Sequence, residues 1–167
     1  PSELHTSSLI CAGCHEYRNE HGVAVLSNYS EWKAGPFARR NVSCQGCHME
    51  IYQARLVSGQ QTAEVSRSFI NLHVVPGGRS LSQLQRAVDM KIVDVRTSGD
   101  ATIVVVAVSN TGSGHKVPGG MSSHNIRLEV KVDRGTRVER QERVYERVLT
   151  DAAGKKIEVV SRLFTDA

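Results

Sequence analysis

Every cysteine of the chain lies in one of two pentapeptides, CAGCH at residues 11 to 15 and CQGCH at residues 44 to 48. A chain that confines its thiols to two copies of Cys-x-x-Cys-His must fold around whatever those copies bind. Two cysteines three residues apart on one turn can form thioethers to the two vinyl groups of a haem, and the histidine that follows reaches the iron from the same side. Paired Cys-x-x-Cys elements also serve as half-sites of a tetrahedral zinc site or as thioredoxin-like redox pairs. The 29 residues between Cys14 and Cys44 exceed the usual zinc-ribbon spacing, and a four-cysteine site has no use for a histidine after each pair. With 7 histidines in 167 residues, chance places one at both positions about 0.2% of the time. The expected cofactors are therefore two covalently bound haem c groups on Cys11, Cys14, Cys44 and Cys47, with His15 and His48 as proximal iron ligands.

Thioether attachment of haem takes place outside the cytoplasm, on an apoprotein that arrives reduced and unfolded. The chain is accordingly expected in a periplasm, on a cell surface or beyond it. No basic and apolar leader precedes Pro1, so an export signal is expected to have been removed or to lie outside this sequence. No apolar run approaches the roughly eighteen residues of a membrane-crossing helix, and no direct membrane span is expected. Asn-x-Ser sequons at Asn28 and Asn41 are too short a signal to carry weight.

Two parts are expected. Residues 1–80 hold both motifs, several polar turns and few long apolar stretches, so ordinary side chains could hardly bury a core there. The haems themselves are expected to be that core, in keeping with an aromatic content of 5%. Short helices beginning at each motif, joined by irregular chain, are predicted. Residues 81–167 read as strands. NIRLEVKVD alternates, with Ile126, Leu128, Val130 and Val132 on one face and charged residues on the other. TIVVVAV at 102 to 108 is apolar throughout and predicts a strand covered on both faces. In AVDMKIVDV the apolar parity switches between Ile92 and Val93, which predicts a bulge or bend. Turn signals at TSGD, DRGT and DAAGKK punctuate the runs. The fold class expected is α+β: a dihaem segment of short helices and irregular chain, followed by an antiparallel, immunoglobulin-like β-sandwich.

Arginines are plentiful in RVERQERVYERV at 137 to 148, but glutamates interleave with them, so a solvated charged face is a better reading than a nucleic-acid surface. The net charge of +4 is reduced further by haem propionates, for which Lys33, Arg39 and Arg40 are candidate partners.

The run LICAGCHEYRNEHGVAVLSNYSEWKAGPFARRNVSCQGCHM, followed by LHVVPGG and SNTGSGHKVPGG, resembles a family of bacterial and archaeal multihaem c-type cytochromes. Members carry a haem-bearing segment and then a β-sandwich with a Gly-His-Lys-x-Pro-x-Gly loop. The resemblance runs from about residue 9 to residue 155. It implies a secreted electron-transfer protein, often with more than two haems, whose irons are usually bound by two histidines. Gly35 and Pro36 depart from the family pattern of a Ser before a small or aromatic residue, and relatives continue into another strand where this sequence stops.

Five histidines remain for the sixth coordination positions. His73 in NLHVVPGG and His115 in GSGHKVPGG are each followed three residues on by Pro and a Gly pair, residues that let backbone lie against a flat macrocycle and fix the presenting loop. These two are the expected distal ligands, with His5 third. His21 and His124 read as structural or exposed residues. Among the methionines only Met121 is a credible ligand, since Met49 directly follows a proximal histidine and Met90 falls on an apolar strand face. Imidazole on both sides of each iron gives low spin, low potential and no open position, hence electron transfer between redox partners. The alternative is an oxidoreductase with one open haem acting on a small nitrogen or sulfur compound. A second is a sandwich that docks to a partner or sugar, although no aromatic stripe supports it. Because His5 is near the chain start, it is also placed to serve a haem on a neighbouring copy, which would build a head-to-tail filament.

Overall fold

A computed structural model describes residues 3–53, 69–133 and 135–156. In chain order the elements are α1 (Glu3–Thr6), α2 (Leu9–His15), β1 (Glu16–Arg18), β2 (Ala24–Ser27), α3 (Asn28–Ala34), α4 (Pro36–Arg39), α5 (Cys44–His48), β3 (Ile51–Gln53), β4 (Phe69–Asn71), α6 (Leu81–Ala87), β5 (Val88–Ser98), β6 (Ala101–Asn110), β7 (Asn125–Asp133) and β8 (Val138–Glu146). The chain divides into two compact units, each made of two separated stretches. The first comprises Pro1–Ile10 and Lys33–Gly114, and the second Cys11–Trp32 and His115–Ala167. Each unit thus carries one Cys-x-x-Cys-His.

The fold is α+β, with short helices and antiparallel strands. Among the described residues the strands form four two-stranded sheets, β1–β2, β3–β4, β5–β6 and β7–β8, and no immunoglobulin-like sandwich. Two of these sheets lie in the half of the chain read as short helices and irregular connections. EYR and FIN are three-residue strands, too short for a period of two to register.

In the first unit α4 starts with Pro36 at its first position, where a missing N–H costs nothing, behind Gly35 as cap. Arg39 Nη1 donates to Ala34 O at 2.9 Å, and Arg40 Nε donates to Pro36 O at 3.4 Å while its guanidinium lies 4.6 Å from the Phe37 ring centre. Both arginines expected at propionates therefore also hold their own segment. Helix α6 is capped by Ser80, whose hydroxyl accepts from Gln83 N at 3.4 Å. It runs directly into β5, and β5 pairs with β6 from Val88↔Asn110 to Ser98↔Ala101 around Gly99, whose φ of +58° suits a tight turn. The register shifts between Ile92 and Asp94, where the apolar parity switches. Across this ladder Met90 faces Val108, Ile92 faces Val106 and Val95 faces Val104, so the middle of one face is apolar, between Asn110 opposite Val88 at one end and Thr97 opposite Thr102 at the other. Strand β6 was expected to be covered on both faces and is not: Ile103, Val105 and Val108 are exposed. Its only partner among the described residues is β5, and no second layer within that ladder covers its apolar positions.

In the second unit β1 and β2 close around a turn in which the Asn19 side chain accepts from His21 N and Val23 N. Val25 on β2 is the one fully buried apolar residue among those described. Strand β7 alternates between half-buried and exposed residues along its whole length, as its sequence does. Its partner β8 is mostly exposed, and Arg127–Glu142 at 3.3 Å and Arg140–Glu129 at 3.6 Å join the two strands on the charged face. Such solvated pairs contribute little individually.

Candidate haem-attachment site

Both Cys-x-x-Cys-His stretches are helical, so the two thiols of each motif, three residues apart, share one face of a turn. None of the four cysteines is in a disulfide; Cys14 is exposed, and Cys11, Cys44 and Cys47 are half-buried.

In the first unit α5 begins at Cys44, with Ser43 as its cap accepting from Gly46 N at 3.2 Å. Cys44 N donates to Ser8 Oγ at 3.0 Å. Gln45, between the two cysteines, is buried and donates to Ser7 O at 2.8 Å and His5 O at 3.4 Å, while its own Oε1 finds no partner. Ala12 has the same place in the first motif, so attachment chemistry itself does not call for glutamine there. Gln45 instead ties the segment that carries His5 to the second motif. Gln83 of α6 donates to Cys47 O. His48 Nδ1 donates to Pro76 O at 2.7 Å. That bond selects the tautomer in which Nε2 carries the lone pair a metal needs, the usual outer contact of a ligating histidine. Pro76 belongs to the loop of His73, so a stretch read as the source of a distal ligand also orients the histidine read as a proximal one. The His73 side chain is exposed, as is His5.

In the second unit His15 closes α2 and is exposed. His115 is half-buried, with Nδ1 donating to Lys116 O at 2.9 Å. The loop after it is fastened to α3: Lys116 N donates to Glu31 Oε2, and Gly120 N to Asn28 Oδ1, each at 2.9 Å. Gly119 packs on the His115 ring so closely that a Cβ there would sit 2.8 Å from Nδ1. His124, read in the sequence as structural or exposed, is exposed and repeats the arrangement: Nδ1 donates to Gly119 O at 2.8 Å, and the ring lies over Gly120. No sequence signal beyond the glycine pair marks it. Met121 is half-buried in the same loop, and His21 sits in the exposed β1–β2 turn with Nε2 3.7 Å from Glu20 Oε1.

These residues fit a covalently held haem. Each thiol pair lies on one helical face beside a histidine, and the His48 tautomer suits a ligand. Apolar side chains in the same unit as the second motif also remain exposed, among them Leu4, Leu9, Ile10, Val74 and Val75. Bound there, haem would supply a reversible one-electron iron couple and a large apolar surface. Among the described residues no group of three or more His, Cys, Asp or Glu side chains is placed to hold a metal ion. No helix among those residues is long and apolar enough to cross a membrane. Comparison with protein-family models, with curated proteins and with solved structures finds no match to this chain.

Proposed function

We propose that this chain is an extracytoplasmic multihaem c-type cytochrome, periplasmic or at the cell surface, that passes electrons through two covalently bound haems to redox partners or to further copies of itself. The observation that carries the reading is the repeated Cys-x-x-Cys-His, helical in both copies, with His48 held in a ligating tautomer by Pro76. His15 and His48 are the proximal ligands, His73 and His115 supply the distal side, and His5 is left to serve a haem on a neighbouring copy. The chain's own part in function is to hold each iron between two imidazoles and to keep small molecules from it. Two six-coordinate irons are expected to give a wholly low-spin spectrum that carbon monoxide does not change. Carbon monoxide binding to the reduced protein at one haem per chain would instead select the oxidoreductase alternative with an open iron.

The strand-rich part is proposed to complete an immunoglobulin-like sandwich. Support comes from the apolar face of β5–β6, where Met90 and Ile92 are 61% and 66% exposed, and from the half-buried row on β7. A two-stranded sheet with one apolar face is marginal in water unless something covers it. Ile92→Asp is then expected to lower the thermal midpoint by several degrees, since a covered carboxylate costs a few kcal/mol at about 2–4 °C for each. An unmoved midpoint would mean that this face meets solvent.

A further inference from the structure

We propose that Asn28 and Glu31, one helical turn apart on α3, are positioning residues for the His115 imidazole. The inference rests on the reading of His115 as an iron ligand. Its basis is the way α3 holds the loop by both ends. Glu31 Oε2 accepts from Lys116 N and Asn28 Oδ1 accepts from Gly120 N, bonds that bridge 85 and 92 residues of sequence. Between these two points lie the groups that set the ring. The Lys116 carbonyl accepts the Nδ1–H of His115, and the backbone of Gly119 closes on the ring from another side. A Cβ on Gly119 would also come within 3.1 Å of Asn28 Nδ2, so helix, loop and imidazole meet there without room for a methyl group. The peptide that accepts from the ring therefore belongs to the residue whose N–H is fixed by Glu31.

Glu31 is itself held in place. Its other oxygen, Oε1, accepts from Ser27 Oγ at 2.8 Å and from Arg147 Nη2 at 3.2 Å. Arg147 also donates to Ser27 Oγ and, at 3.2 Å, to Val25 O. The Arg147 and Glu31 side chains are 26% and 15% exposed, so this pair is sheltered in a way that the pairs on β7 and β8 are not. A carboxylate committed on both oxygens cannot swing away from Lys116 without leaving Arg147 and Ser27 unpaired. The first motif is followed directly by β1, β2 and α3, so the stretch that presents His15 continues into the helix that sets His115.

The test uses the full chain matured with its haems, as parent, Asn28→Ala, the double variant Asn28→Ala/Glu31→Ala, and Asn28→Asp, which keeps the acceptor. Amide hydrogen exchange at Gly120 and Lys116 reads the latch, and the spin state and potential of the haems read the ring. Asn28→Ala is expected to speed exchange at Gly120 about tenfold, the effect of losing one hydrogen bond near the upper end of its usual range. The double variant is expected to keep two haems while one becomes partly high-spin, with added imidazole restoring low spin. Asn28→Asp is expected to match the parent. A double variant with two low-spin haems of unshifted potential overturns the proposal; if that variant does not fold, unchanged Gly120 exchange in Asn28→Ala does so. A parent chain without covalent haem would overturn the functional reading, and Gly120 exchange would still decide whether the latch exists.

Discussion

Replacing Cys44 and Cys47 together by alanine is expected to halve the covalent haem, from two per chain to one, and to unfold much of the first unit around α5. The size of the effect follows from what the polypeptide lacks. Helix α5 has five residues, far too few to be stable alone, and its cap and the bonds from Gln83 and Gln45 contribute only about 1 kcal/mol each. Val25, the one fully buried apolar residue among those described, belongs to the other unit. A haem held by α5 is expected to cover apolar groups of this unit such as the exposed Leu4, Val74 and Val75, and deleting a large core group commonly costs about 3–5 kcal/mol. Mass spectrometry of the denatured protein after acid acetone counts the haems, and circular dichroism follows the unfolding. Two additions in the parent and one in the variant are expected. Zinc in the parent, or a mass without haem, would end the cytochrome reading.

The second large effect is expected at His115. With alanine there, one haem should become high-spin and open to carbon monoxide while the other keeps its spectrum. The β7–β8 ladder should persist, because its register from Asn125↔Glu146 to Asp133↔Val138 involves no part of the 115–120 loop. A spectrum identical to the parent's would shift the ligand to His5, to Met121 or to His124, whose ring is fastened in the same way as that of His115.

Local signals in the sequence translated into structure where the deciding contacts are close along the chain. The parity switch at Ile92 and Val93 marks the register shift of β5, and Gly99, Gly135 and Gly154 each turn with positive φ inside the three predicted turns. The alternation of β7 appears as alternating burial. What could not be read there depends on partners far along the chain. Nothing about CQGCH says that Gln45 will hold residues 38 and 40 positions earlier, nor that Pro76 will orient His48. The exposed apolar face of β5–β6 is the instructive departure, because composition tells that a strand wants cover but not what supplies it.

The interleaving of the two units bears on the order in which a chain that emerges N-terminus first can finish. If the N-terminus emerges first, Pro1–Ile10 and the second motif are soon out together, and the bond from Gln45 to Ser7 closes across only 38 residues. Cys11–Trp32 must wait for residues beyond His115 before Asn28, Glu31 and Arg147 find their partners. Closing the longer loops is entropically costlier, though only logarithmically, so the waiting time comes chiefly from the emergence of the chain itself. The motif that emerges first is therefore expected to lie in the unit that is completed last, which under the proposed function leaves Cys11 and Cys14 accessible for haem attachment the longest. Pulse alkylation of chains arrested before residue 115 would show it: Cys11, half-buried in the finished fold, still fully reactive, and Cys44 and Cys47 already partly shielded. Equal reactivity at Cys11, Cys44 and Cys47 would remove the ordering.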